Sequence, residues 1–443
     1  MYLNEIIKIT NGKLIIGENT ILSDFKTNSN DIENGDIFVG IKGESIDGSK
    51  FYLDALKKGA KGCIINKGYY KETYNDAFIL EVEDTILALQ KIAEYKRSKI
   101  NIPVVAITGS VGKTSTKDMI SSVLETKYKV CKTKGNFNNH LGLPLTILSL
   151  KDEEILVLEM GMNHLGEIST LSKIAKPTIG VITNVGTAHI GNLGSRENIL
   201  KAKLEILDGI VDGKLIINND NDMLNAWYNK EKEKNVITVG IKNKSDYMAS
   251  NIKYEKITTF NYLNNEIKVN VGGEAFVYNA LMCIAIGNIL NIDIENIKNG
   301  LQNFSLSNNR LEIIKANGYT IINDCYNANY DSMKEGLSNL GKYEGRKIAV
   351  LGDMFELGSY SKELHKKVGE EVLKNNIDIL VTIGDNSKYM DEVVKNSIHF
   401  DNNKDAIIYL KSIVKENDYI FVKASNGMHF IEIVNSLKEE KNE

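Results

Sequence analysis

Runs of consecutive apolar residues recur along this chain between stretches of helical periodicity, at 36–40, 62–66, 104–108, 154–159, 178–183, 215–218, 320–323, 347–351, 379–383 and 419–423. Strands that are apolar on both faces belong in parallel sheets covered by helices on either side. The intervening segments predict those helices, at 51–58, 85–99, 116–128, 278–290, 332–340, 362–374 and 404–416. In the second of these, Ile86, Leu87, Leu89, Ile92 and Ala93 are expected on one buried face. A polar stretch at 247–273 alternates instead, which predicts a small antiparallel insertion. Pro103 opens a fresh buried strand and 305–309 is polar, so boundaries are expected at 99–103 and 305–309. The fold class is α/β in three units: a small N-terminal α/β domain (1–100), a central parallel-sheet domain (101–307) and a C-terminal Rossmann-like, doubly wound domain (308–443).

Composition changes little in this picture but excludes several functions. The 443 residues carry 54 Lys and Arg against 58 Asp and Glu, so no global basic excess draws the chain to nucleic acid or an anionic membrane. No apolar run reaches the ~18–20 residues of a membrane helix, and residues 1–5 lack the basic-then-apolar pattern of a secretory signal. A cytoplasmic location without membrane insertion is expected. Cys63, Cys131, Cys283 and Cys325 are scattered, without Cys-x-x-Cys spacing, and read as buried, reduced thiols.

The first chemistry lies in Ala106-Ile-Thr-Gly-Ser-Val-Gly-Lys-Thr-Ser115, between a buried strand and a helix. Glycines let backbone N–H groups close around a phosphate, and the helix N-terminus favours the anion. Thr108, Gly109, Ser110, Val111, Gly112 and Ser115 would form the loop, with Lys113 reaching the terminal phosphates and the Thr114 hydroxyl on Mg²⁺. Glu159 closes the next central strand, where ligands of parallel sheets collect, and fits the same ion. His189 follows the strand at 178–183 and shares that rim as a second candidate metal ligand.

Taken together, the motifs resemble the Mur ligase superfamily. The loop Thr-Gly-x-x-Gly-Lys-Thr lacks the usual first glycine, as that group's does, and Lys134-Gly-Asn-Phe-Asn-Asn-His-Leu-Gly-Leu-Pro144 is similar to its Gly-Asn-x-Asn-Asn segment. The resemblance implies substrate contacts at Asn136, Asn138 and Asn139, and a carbamylated Lys203 that joins His189 on a second Mg²⁺. Read alone, Lys203 would pass for a surface helix residue. It further implies that Asn279 contacts adenine and that Arg310 sits near the transferred phosphate. Asn323-Asp-Cys-Tyr-Asn-Ala-Asn329 and 350–358, followed by His365, resemble the branch that adds D-alanyl-D-alanine to UDP-N-acetylmuramoyl-tripeptide. There Asp324 and Asn327 would orient ATP, and Tyr326, Asn329 and Ser332 the incoming dipeptide. At the N-terminus, Ser29, Lys42, Gly43 and Asp47 fall where that branch holds its UDP-sugar-peptide.

The resemblance therefore implies an ATP-dependent amide ligase, monomeric and Mg²⁺-assisted, whose third domain closes on the central one. Some positions depart from it: Thr27-Asn-Ser29, Ala275, Asn323, Tyr330 and Ala424-Ser-Asn426 stand where other residues are usual. These keep open a paralogous ligase that joins a different amino acid or dipeptide.

Overall fold

The computed structural model describes residues 1–73, 77–232, 234–254, 257–306 and 309–439. Residues 307 and 308, where the second boundary was expected, and the charged tail from 440 onward lie outside the described residues.

Every apolar run named above is a strand, and the strands assemble into three α/β units. The N-terminal sheet runs Lys13–Ile16, Phe78–Val82, Gly62–Asn66, Ile37–Val39, Phe25–Lys26, antiparallel only at its first pair. The central sheet is parallel throughout, ordered Tyr247–Met248, Val236–Gly240, Lys214–Asn218, Ile179–Ile182, Val104–Thr108, Ile155–Glu159, Val130–Lys132. Val104–Thr108 thus lies between two later strands, one reached by a crossover to each side. Such a switch leaves a crevice at the carboxyl ends of the strands. Register aligns those ends, with Ile107 paired to Glu159 and Thr108 to Ile182.

The alternating stretch forms the expected antiparallel sheet, Ser250–Tyr254, Thr258–Tyr262 and Asn265–Val269. In the C-terminal sheet Tyr319–Asn323, Tyr419–Lys423, Lys347–Gly352, Ile379–Ile383 and Ile398–Phe400 are parallel, while Glu312–Ala316 adds an antiparallel edge.

Several details differ from the sequence reading, among them the helix expected at 278–290, which spans Glu274–Ile289. The helix after the glycine loop spans Lys113–Leu124 and starts three residues earlier than 116, because Gly112 caps it in the left-handed region at φ +83°. Lys113 and Thr114 therefore stand in its first turn. The helix expected at 404–416 ends at Ile413, where Val414 turns extended. In Thr85–Ser98 the buried face is Ala88, Leu89, Ile92, Ala93 and Arg97, whereas Leu87 is 48% exposed.

That last helix does more than close the first unit. It packs against the central helices Gly142–Ser149 and Glu167–Ala175. The buried guanidinium of Arg97 donates to the carbonyls of Ala175 (2.7 Å), Ile100 (2.7 Å) and Lys176 (3.1 Å). Lys96 adds bonds to the carbonyls of Leu148 and Leu150. One apolar cluster runs from Leu3 and Leu89 through Leu143 and Leu171. The N-terminal unit is thus joined to the central one by a dry seam with a charged clamp.

Charge-assisted hydrogen bonds are worth ~1.5–3 kcal/mol each, and truncation also strands buried acceptors. Arg97→Ala is expected to destabilise the protein by about 2–4 kcal/mol in urea unfolding. A change below about 0.5 kcal/mol, the range of ordinary surface substitutions, would contradict the clamp.

Candidate active site at the switch of the central sheet

The glycine loop leaves Thr108 and turns into the helix at Lys113. A Cβ on Gly109 would lie 1.9 Å from the Thr183 hydroxyl, so only glycine lets the loop pass the neighbouring strand end. The loop is tied to that strand end throughout. The N–H groups of Ser110 and Val111 donate to the carbonyl (3.1 Å) and Oδ1 (2.9 Å) of Asn184, and Thr183 Oγ1 donates to the Val111 carbonyl (2.7 Å). This corrects the expectation that these two amides cradle phosphate. The first-turn amides of Lys113, Thr114 and Ser115, by contrast, have no acceptor within their helix, the arrangement that suits an anion at a helix N-terminus.

Glu159 is only 3% exposed and has both oxygens engaged. Thr114 Oγ1 donates to Oε2 at 2.8 Å and Asn138 Nδ2 to Oε1 at 2.9 Å. Lys113 donates to the Gly109 carbonyl at 2.8 Å; burial lowers its amine below the usual lysine value, with Glu159 opposing that shift and Arg310 adding to it. A buried carboxylate beside a helix hydroxyl is a hard-oxygen donor pair suited to Mg²⁺. Among the described residues no group of three or more His, Cys, Asp or Glu could hold a metal alone.

A cleft of about 770 Å³ opens over these groups and gathers most of the expected site. From the central unit come Ser110 to Ser115, Asn136, Asn138, Asn139, Glu159, His189 and Asn279; from the C-terminal unit come Arg310, Asp324, Tyr326, Asn327, Asn329 and Ser332. Asn279 accepts a bond from the Thr116 hydroxyl at 3.0 Å. Arg310 stacks on the Tyr326 ring at 4.0 Å and, among the described residues, has no ion pair or hydrogen bond. Its five donors are available to a ligand.

Several residues expected to contact substrate or ATP are also engaged in the scaffold. Asn139 Oδ1 accepts from the amides of Leu141 and Gly142 (3.1 and 2.9 Å) where the chain enters Gly142–Ser149, and Asn138 donates to Glu159. Asn329 and Ser332 form the capping box of Tyr330–Leu340. Asp324 is paired with Lys423 at 2.5 Å, and Asn327 lends its carbonyl to the same ammonium at 2.9 Å. Thr108 and Gly109 lie beneath the cleft without lining it, and Thr108 Oγ1 is buried without a partner. Ser29, Lys42, Gly43 and Asp47 stay on the N-terminal unit, outside this cleft. Asp47 caps the short turn Gly48–Phe51 through the Ser49 amide (2.8 Å) and holds Asn66 (2.8 Å).

Lys203 overturns its surface reading, being 1% exposed. It has no hydrogen bond or ion pair among the described residues. Burial, with Lys113 adding repulsion, holds its amine well below the usual lysine value. His189 caps the turn Ile190–Leu193 in the left-handed region (φ 62°) and pairs through Nδ1 with Glu356.

Comparison with known proteins agrees with this geometry. The Mur ligase middle domain matches residues 107–287, and the Mur ligase glutamate ligase domain matches 309–426. The UDP-N-acetylmuramoyl-tripeptide–D-alanyl-D-alanine ligase of Bacillus subtilis is 38% identical over 95% of this chain and 94% of its own. This chain belongs to the Mur ligase family. Among solved structures of that family, MurF from Acinetobacter baumannii superposes with a TM-score of 0.91 at 29% identity, covering 99% and 98% of the two chains. MurF from Thermotoga maritima, solved with ADP, gives 0.82 at 30% identity over 94% and 97%.

Within the Mur ligase frame the departures have local explanations. Asn323 is buried and donates to Asn309 Oδ1 (3.0 Å) and Glu312 (2.8 Å), where an aspartate would oppose the Glu312 carboxylate. Tyr330 reaches Glu371 at 3.4 Å, and Asn426 is exposed outside the cleft. Only Ala275 lines it. The sequence reading missed Asn184, Glu335, Glu356 and the lysine role of Lys423. Glu356 stands inside the segment 350–358 and Asn184 directly follows the strand at 178–183, but nothing local marks them as partners of distant residues.

Glu335 lines the cleft, where burial, with Asp324 adding and Lys423 opposing, pushes its carboxyl up to about 7 from 4.5. A folded value above the unfolded one means that the folded state binds the proton more tightly, so Glu335 lowers stability progressively as pH rises from 4.5 through about 7. Glu335→Gln is expected to match the parent near pH 4 and to exceed it by up to about 3 kcal/mol near pH 8 in urea unfolding. A parent more stable than the variant at pH 8 would refute the shift.

Proposed function

We infer that this chain joins the amine of D-alanyl-D-alanine to the terminal carboxylate of UDP-N-acetylmuramoyl-tripeptide, using ATP and releasing ADP and phosphate, in peptidoglycan precursor synthesis. The observation that carries this reading is one cleft walled by the glycine loop and Glu159 on one side and by an uncommitted Arg310 on the other. Relatives named for that reaction match over nearly the full length. The three units, 1–100, 101–307 and 308–443, would bring the nucleotide-sugar-peptide, ATP and the dipeptide respectively.

Amide formation from a carboxylate and an amine in water is uphill, so the carboxylate needs a leaving group. In this reading a carboxylate oxygen of the tripeptide attacks the γ-phosphorus of ATP and ADP departs. The dipeptide nitrogen then attacks the acyl carbon, phosphate leaves with the bridging oxygen, and the amine sheds a proton. The first-turn amides, Lys113 and Arg310 face the charge that develops on the transferred phosphate. Thr114 and Glu159 would hold one Mg²⁺, and His189 with a carbamylated Lys203 a second, supplying positive charge against the phosphates. A second hollow meets the cleft at Thr114, Arg310 and Tyr326 and carries Lys132, Lys134 and Lys151. Lys132 is paired with Glu125 and Lys151 with Asp24, which leaves Lys134 as the ammonium of the three that a polyanionic nucleotide-peptide would meet unpaired among the described residues.

Carbamylation of Lys203 has a physical rationale. The neutral amine is the form that adds carbon dioxide, giving a carbamate and a proton, and burial beside Lys113 shifts this amine toward that form. The resulting anion would answer the Lys113 charge and offer oxygen to a cation.

No helix among the described residues is long and apolar enough to cross a membrane; in this reading the reaction runs in the cytoplasm, with its nucleotide substrates. Phosphate release from ATP is expected only when UDP-N-acetylmuramoyl-tripeptide and D-alanyl-D-alanine are both present. Turnover with a different amine, and none with this dipeptide, would replace the reading by that of a paralogous ligase. Lys203→Ala is expected to lose most activity and to regain part of it with added short carboxylic acids. Parental rates in the variant would remove the carbamate.

A further inference from the structure

The loop after the central strand Ile179–Ile182 is held from across the cleft by the C-terminal unit. Asp331 accepts from the Thr187 amide (2.7 Å) and hydroxyl (2.9 Å). Glu356 pairs with His189 Nδ1 at 2.5 Å and accepts the Gly191 amide on its carbonyl at 3.0 Å. Tyr360 donates to the Gly194 carbonyl at 2.7 Å. The fit is close enough that a Cβ on Gly191 would lie 2.5 Å from the Gly358 amide nitrogen and 2.6 Å from the Glu356 carbonyl. Both members of the central pair sit in the left-handed region, His189 at φ 62° and Glu356 at 61°. Non-glycine residues hold that conformation at a cost of ~1–3 kcal/mol each, which surrounding contacts must offset.

We propose that Glu356 is a positioning residue for His189, a carboxylate delivered by the C-terminal unit that takes Nδ1 and leaves Nε2 as the nitrogen presented to the cleft. An imidazole bound to a carboxylate through Nδ1–H carries its lone pair on Nε2 and is fixed in rotation. The group that orients His189 therefore belongs to a different unit from His189 itself. Docking of the C-terminal unit and preparation of the histidine are one event, so a separated C-terminal unit leaves His189 unaimed. This extends the reading of His189 as a metal ligand, on which its purpose rests, but the geometry can be tested without metal.

The test uses the full-length, metal-free protein with ¹⁵N-labelled histidine, its His189 signals assigned by their loss in His189→Gln. Near pH 8 the parent is expected to show His189 with Nδ1 protonated and Nε2 bare. Glu356→Ala should shift it toward the Nε2–H form, and Glu356→Gln, whose amide oxygen still accepts from Nδ1–H, should restore the parental signals. Tyr360→Phe removes a bond of the same interface without touching the imidazole and should leave them unchanged. An unaltered His189 spectrum in Glu356→Ala, or the same shift in Tyr360→Phe, would overturn the proposal. Mn²⁺ binding followed by electron paramagnetic resonance is the second arm, with a 10–100-fold loss of affinity expected in Glu356→Ala, the range for removing such an outer partner. Parental Mn²⁺ affinity in that variant with a shifted tautomer would remove the metal reading of His189 and leave the positioning role standing.

Discussion

The candidate site depends on one buried negative charge. Glu159 ends a strand in the middle of a parallel sheet, 3% exposed, where an unpartnered carboxylate would be costly. Its two oxygens draw in Thr114 from the first turn of the loop helix and Asn138 from the asparagine-rich segment. Three pieces of chain that are distant in sequence are fixed by it at one point. The glycine loop is tied independently to Asn184, so its remaining amides open toward the same space.

Around that point both outer units are attached to the central one, and one apolar cluster includes residues of all three. The N-terminal unit shares an apolar cluster with the central one and is clamped by Arg97 among three carbonyls, a seam suited to staying shut. Facing the loop 186–194, the C-terminal unit adds hydrogen bonds from Asp331, Glu356 and Tyr360, and its Met354 and Leu357 belong to the same apolar cluster as Ile190 and Leu193. A ligase with an acyl phosphate intermediate needs such a unit to exclude water during reaction and to release product afterwards. Arg310 and Tyr326 line the cleft from that unit.

Much of this was legible in the sequence because it is local. Continuous apolar runs marked the strands, and strand-to-helix placement marked the glycine loop, Glu159 and His189. Pairings across the chain were not legible. Arg97 reads as a surface helix residue until the carbonyls of Ala175 and Lys176 meet it, and Lys203 likewise until its burial is seen. Asn139, Asn329 and Ser332 were read as ligands for substrate because motif resemblance does not distinguish a scaffold bond from a contact. The short strand Val130–Lys132, only partly buried, gave no apolar run to notice.

The central claim is that the cleft activates a carboxylate by phosphorylating it. Tripeptide nucleotide carrying ¹⁸O in its terminal carboxylate decides this directly when the released phosphate is weighed. The account predicts one ¹⁸O atom in each phosphate formed, left by cleavage of the acyl phosphate. Amide product accompanied by unlabelled phosphate would contradict it.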